Sequence, residues 1–212
     1  MTGPRGHGRW NRGELAVLGR LTDPASIQSF LDTLPYSADD IYRCPRSVLR
    51  DRKAHCFDGA LFAAAALRRL GYPPRLVDLR AVRDDDHIIA IFLRGGHVGA
   101  VAKSNVVGLR YREPIFRTVR ELTLSYFDDY FNLDGEKSLR AYSAPLDLSR
   151  FDALSWETSD SGLDVIAARL DAVRHFPLLT SRQEKTLSKV DERSYKAGML
   201  GINRAGLYKP KR

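Results

Sequence analysis

The segment Cys56-Phe57-Asp58-Gly59-Ala60-Leu61-Phe62-Ala63-Ala64-Ala65-Ala66-Leu67 carries apolar or small side chains around the whole circumference of a helix, a composition that belongs to a helix covered on most sides. The rest of the fold has to be built around it. Gly71 suits a left-handed cap at its end, and Pro73-Pro74 forbids continuation. A cysteine at the start of such a helix meets unpaired N–H groups and the positive ends of the peptide dipoles, both of which favour thiolate over thiol. Cys56 is therefore a candidate nucleophile, and the chemistry requires a base beside it.

His87 is the candidate base. It follows Asp84-Asp85-Asp86 and opens Ile88-Ile89-Ala90-Ile91-Phe92-Leu93, a run that reads as a buried strand. Arg94-Gly95-Gly96-His97 then turns the chain into a second strand, Val98–Ser104. A two-residue turn pairs Arg94 with His97 and sets His87 opposite Ser104, with Ile89 against Ala102; a three-residue loop sets His87 opposite Asn105. Apolar pairing favours the first register. Chemistry favours the second, because an Asn amide accepts from imidazole and fixes its tautomer. A bulge near Lys103 reconciles the two, and Asn105 is the expected orienting residue, with Ser104 the alternative.

The 212 residues, 43% of them hydrophobic, suffice for one main core with appendages. Cys44 and Cys56 are too few for a disulfide framework, and residues 1–13 hold Arg5, Arg9 and Arg12 with no apolar run after them. Neither a signal peptide nor a membrane span is expected, so a cytoplasmic setting that keeps the thiol free is the default. A net charge of +8 invites a nucleic-acid reading, but the basic residues are scattered and no zinc-finger spacing, RNA-recognition motif or arginine run accompanies them. Nucleic acid is not the expected partner. Asp84–Asp86 reads as a solvated turn, and no spaced His or Glu completes a metal site around it.

Three regions are expected: a flexible basic arm over 1–13, a domain over 14–180, and a C-terminal helix with a basic tail over 181–212. Thr22-Asp23-Pro24 starts a helix whose apolar face is Ile27, Phe30, Leu31 and Leu34, stopped by Pro35. Tyr36–His55 reads as a connecting segment. Leu76–Val82 is a further strand, and Thr118 to Glu121 has a capping-box pattern ahead of Leu122, Tyr126, Phe127 and Tyr130. Residues 132–160 read as loop with strand-like text at Leu139–Tyr142, and Leu163–Val173 as helix. A second box at Ser181 to Glu184 opens the last helix, ahead of the solvated tail Lys209–Arg212.

Cys56 opening an Ala-rich helix, His87 opening a strand and a polar residue near the end of the next strand together resemble the transglutaminase-like branch of the papain-like cysteine enzymes. The resemblance covers residues 40–110. It implies an α+β fold with the nucleophile helix packed on an antiparallel sheet, and a thiolate–imidazolium pair acting on amide or ester carbonyls without cofactor or metal. Two departures stand out. The family's third residue is most often Asp, where this chain has Lys103-Ser104-Asn105, and its aromatic residues near the His are replaced by Ile88 and Ile89. The expectation is a thiol-dependent peptidase or amidase with a peptide or protein substrate, Cys56, His87 and Asn105 as its triad, and Arg110 and Arg112 gripping substrate. The alternatives are acyl transfer to an amine, or a catalytically silent module of the same fold that binds an acidic partner.

Overall fold

The computed structural model describes residues 10–209. Four helices come first: α1 (Arg12–Leu18), α2 (Pro24–Asp32), α3 (Pro45–Asp51) and α4 (Cys56–Arg69). The strands β1 (Arg75–Ala81), β2 (His87–Arg94), β3 (His97–Val101) and β4 (Arg112–Phe116) follow, then α5 (Val119–Leu124), β5 (Leu139–Ser143), the short β6 (Leu146–Asp147), α6 (Leu163–Ala172) and β7 (His175–Pro177). Two short helices, α7 (Ser181–Glu184) and α8 (Glu192–Gly198), precede a last 3-10 turn at Arg204–Gly206. The strands form one open antiparallel sheet in the order β4-β3-β2-β1-β5-β7, with β6 beside β1. The architecture is mixed, helices with an antiparallel sheet. Among the described residues no helix is long and apolar enough to cross a membrane.

The alternation of β2 divides the interior in two. Ile88, Ala90 and Phe92 pack with α4, α2, α3 and α6 on one face. Ile89 and Ile91 pack on the other, with Val77, Leu79, Leu122 and Tyr126. Phe57 to Leu67 of α4 are all buried, which accounts for the all-round apolar text of that segment. Its small residues let neighbours come close. A Cβ on Gly59 would lie 2.2 Å from the Cβ of Lys103, so only glycine fits there.

Several expectations change in the structure. Residues 1–9 of the expected arm lie outside the described residues, but Asn11 caps α1 with Glu14, and Trp10 donates to Glu157 at 3.3 Å. The expected connecting segment contains α3, which begins at Pro45 and ends in a left-handed Arg52. Glu121 reaches back to the Arg117 N–H rather than to Thr118, and the following helix stops at Leu124. The later capping box starts one residue earlier than its pattern, at Thr180 with Gln183. Leu148–Leu154 is a 3-10 helix where loop was expected. The hairpin takes the two-residue turn: Arg94 pairs with His97 and Leu93 with Val98.

β3 ends at Val101, and the chain then leaves β2. The reason is a side chain. The Gln28 amide accepts from the Ala102 N–H at 3.0 Å and donates to the Ala102 carbonyl at 2.9 Å, substituting for a strand partner. Lys103, buried at 6% exposure, donates to the carbonyls of Leu31 (3.0 Å) and Leu34 at the end of α2. Residues 102 and 103 thus belong to the contact with α2 and the turn after it, and because the pairing with β2 ends at Ala90 and Val101, neither Ser104 nor Asn105 pairs with His87.

Candidate active site

Cys56 is the first residue of α4, and His55 before it is the N-cap. The His55 Nδ1 accepts from the N–H groups of Phe57 (3.2 Å) and Asp58 (3.4 Å). Burial pushes the His55 imidazole down to about 4, so it is neutral and able to accept. Asp58 completes the capping box and accepts from the Arg43 N–H at 2.7 Å; burial lifts its carboxyl to about 7. This cap sets the helix start, and with it the sulfur, against the beginning of β2. The Sγ of Cys56 lies 3.8 Å from the carbonyl oxygen of Asp86, the residue before His87.

His87 is the first residue of β2. Its side chain points to the face of the sheet opposite α4, with its ring 6.5 Å from that of Tyr130 in an edge-on arrangement. At the end of a strand the two faces are no longer separated by the sheet, and Cys56 and His87 line one cavity of about 60 Å³. The His87 Nε2 meets the carbonyl of Leu109 at 2.8 Å. A carbonyl can only accept, so Nε2 carries the hydrogen and Nδ1 keeps its lone pair. This is the tautomer a base needs, and the backbone supplies it.

Two tyrosines close the site. Tyr36 pairs with Ala54 in a parallel bridge just before the α4 cap, and it lines the cavity together with Cys56. Burial raises the Tyr36 phenol far above its ordinary value. The Tyr130 hydroxyl is shared between the carbonyls of Asp85 (2.7 Å) and Leu79 (3.2 Å), which holds the turn before His87. Nothing in the sequence pointed to Tyr36, an aromatic residue in polar text, and a backbone carbonyl such as that of Leu109 leaves no trace in residue identities.

The remaining expected site residues lie elsewhere in the network. The Asn105 amide accepts from the Asn203 N–H (2.8 Å) and donates to the carbonyls of Asn203 (2.9 Å) and Gly206 (3.3 Å); it holds the C-terminal segment and does not orient His87. The Ser104 hydroxyl accepts from the Val106 N–H. Arg112 stacks over Tyr126 at 4.1 Å and donates to Gly108, Tyr111 and Ser125, so it is committed to structure. Arg110 pairs with Asp32 and bonds the Val107 carbonyl, and neither arginine lines the cavity. Asp84, Asp85 and Asp86 do line it. Asp85 and Asp86 are exposed, in keeping with a solvated turn, while Asp84 is half-buried and accepts from Ser138 (2.6 Å); Asp86 accepts from the Ala81 N–H (2.8 Å), and desolvation raises all three carboxyls, Asp84 to about 6.

The resting ionisation is opposite to the expected one. Burial pushes the Cys56 thiol up to about 11, against a smaller opposing pull from the Ile88 N–H and Tyr36, and burial pushes His87 down to about 4. In this conformation thiol and imidazole are both neutral. Residue Cys56 as a whole is partly exposed, and it lines the small cavity that also holds His87. Among the described residues, no group of three or more His, Cys, Asp or Glu side chains converges as a metal site. Comparison of the chain with protein-family models and with curated proteins returned no match. The chemistry of this site therefore rests on its geometry.

Proposed function

We propose that the chain is a thiol-dependent hydrolase of amide bonds with a transglutaminase-like fold, working in a reducing compartment. The observation that carries this reading is the meeting of Cys56, at a helix start, with a His87 of defined tautomer in one cavity. Cys56 Sγ attacks the amide carbonyl carbon while its proton passes to His87 Nδ1. The oxyanion accepts from the Cys56 N–H at the helix start and from the Tyr36 hydroxyl. The C–N bond then breaks, the leaving amine takes the proton from His87, and a thioester remains. Water, deprotonated by His87, attacks the thioester and releases the acid and the thiol. The Leu109 carbonyl fills the orienting role that a side chain has in Cys-His-Asn sites and stabilises the imidazolium as it forms.

The test is turnover of a peptide library by the full chain. Cys56→Ala and His87→Ala are each expected to lose nearly all activity, because nucleophile and base act as a unit. Activity unchanged in Cys56→Ala sinks the proposal. With primary amines added, a new amide product in place of the acid identifies acyl transfer as the reaction.

A further inference from the structure

The cavity above Cys56 is small because the chain covers it with its own C-terminal segment. After α8 the backbone returns across the fold to Asn105 and Tyr36. Asn203 donates from its side chain to the Tyr36 carbonyl at 2.9 Å, while its own N–H and carbonyl are bracketed by the Asn105 amide. Gly206 lies against the Tyr36 ring so closely that a Cβ there would sit 2.9 Å from Cδ1. Leu207 and Tyr208 then line the pocket that holds Cys56 and His87. On the other side of the same segment lies a second cavity of about 410 Å³, which shares Tyr36, Asp85, Gly206 and Leu207 with the first. One groove, running from Tyr42 past Tyr36 to His87, is thus divided by residues 206–207. The small part has room for a few waters and none for a substrate.

Resting on the reading of Cys56 as the reactive group, we propose that this groove binds a polypeptide segment of small, apolar and aromatic residues flanked by basic ones, and that Asn203–Lys209 occupies it as a built-in competitor. The two-way bonds from Asn105 to Asn203 engage only peptide N–H and C=O groups, so they recognise backbone whatever the side chain. The apolar part is Gly206-Leu207-Tyr208. The charge is complementary. Arg204 and Lys209 belong to the segment, with Lys211 and Arg212 beyond it in the sequence, and Asp40, Asp84 and Asp85 line the groove. Asn105 is therefore a substrate-positioning residue rather than the orienter of His87.

The experiment follows iodoacetamide labelling of the full chain at pH 8.5 by mass spectrometry. Cys44, at 1% exposure, serves as an internal monitor of unfolding. Gly206→Val, which crowds Tyr36, and Asn203→Ala, which removes one tether from an exposed position, should each speed labelling of Cys56 by about tenfold, the equivalent of one lost hydrogen bond, with Cys44 unchanged. If Gly206→Val also exposes Cys44, Asn203→Ala gives the reading. A synthetic peptide of residues 202–209, added to the released variant, should restore slow labelling in a saturable way, and should lose this effect when Asn105→Ala is also present. A peptide carrying Arg204→Glu and Lys209→Glu should protect less. Equal rates in wild type and Asn203→Ala, or no protection by the peptide, overturn the proposal; equal protection by the acidic peptide overturns its basic preference. None of these readouts needs turnover. Protection without hydrolysis defeats the hydrolase reading alone, and hydrolysis without faster labelling defeats the competitor alone.

Discussion

The ionisation of Cys56 gives the sharpest test of the site. With burial lifting the thiol from its ordinary 9.0 to about 11, roughly 100 times less thiolate is present near neutral pH than a free cysteine would have. His87, held near 4, stays uncharged across the same range and cannot compensate. The thiolate is read from its ultraviolet absorbance as the difference between the wild-type chain and Cys56→Ser, in parallel with the alkylation rate from pH 6 to above 11. Both signals should climb about tenfold per pH unit through pH 10 and level off only near pH 11. The sign follows from the direction of the shift: an acid whose folded pKa is raised stays protonated beyond the point at which the free group ionises. In Gly206→Val, water reaches the sulfur and the curve should move down toward the free range. A wild-type curve that levels off below pH 8 would refute the reasoning, because it would mean that a thiolate–imidazolium pair already exists under the C-terminal segment.

Gly59→Ala places a Cβ 2.2 Å from that of Lys103 and should cost about 2 kcal/mol, read as a lower denaturant midpoint with an unchanged slope. A neutral result there would mean that the contact between α4 and residues 102–103 is loose. His87 is depressed from about 6.5 to about 4, so its contribution to stability is present above pH 6.5 and lost as pH falls through 4; wild type should lose about 3 kcal/mol more than His87→Gln over that interval, measured by paired denaturant titrations. In a Gly206→Val background, where the covering segment is already displaced, adding Asn105→Ala should leave the imidazole titration of His87 in NMR spectra unmoved, since the partner of Nε2 is the Leu109 carbonyl; a further shift of half a unit or more would restore Asn105 as the orienter.

The sequence by itself determined the elements whose signal is local and repeated. An all-round apolar run can satisfy its surface only as a buried helix, and α4 is buried from Phe57 to Leu67. The apolar run after His87 is legible as β2, and the apolar pairing of Leu93 with Val98 favours the two-residue turn that the structure adopts. That text also drew attention to Cys56 and His87, the first residues of α4 and β2. What it could not show is where a strand is released. Pairing continues from Arg94 to Ala90 and stops because Gln28, far away in sequence, takes the backbone of Ala102. That long-range bond removes both Ser104 and Asn105 from the ladder.

Tertiary structure alone decided the partners and the charge states. The Leu109 carbonyl beside His87 is backbone, present in every residue type, and becomes significant only when the chain brings it within 2.8 Å. Tyr36 meets Cys56 through the bridge to Ala54, and residues 203–208 reach the site from the far end of the chain. Burial reverses the ionisation expected of a cysteine at a helix start: the dipole favours a thiolate by a surface-scale amount, whereas desolvation by the surrounding chain penalises it more. A sequence reports which groups can ionise. The solvent left around each one, and so its charge, depends on what the folded chain lays over it.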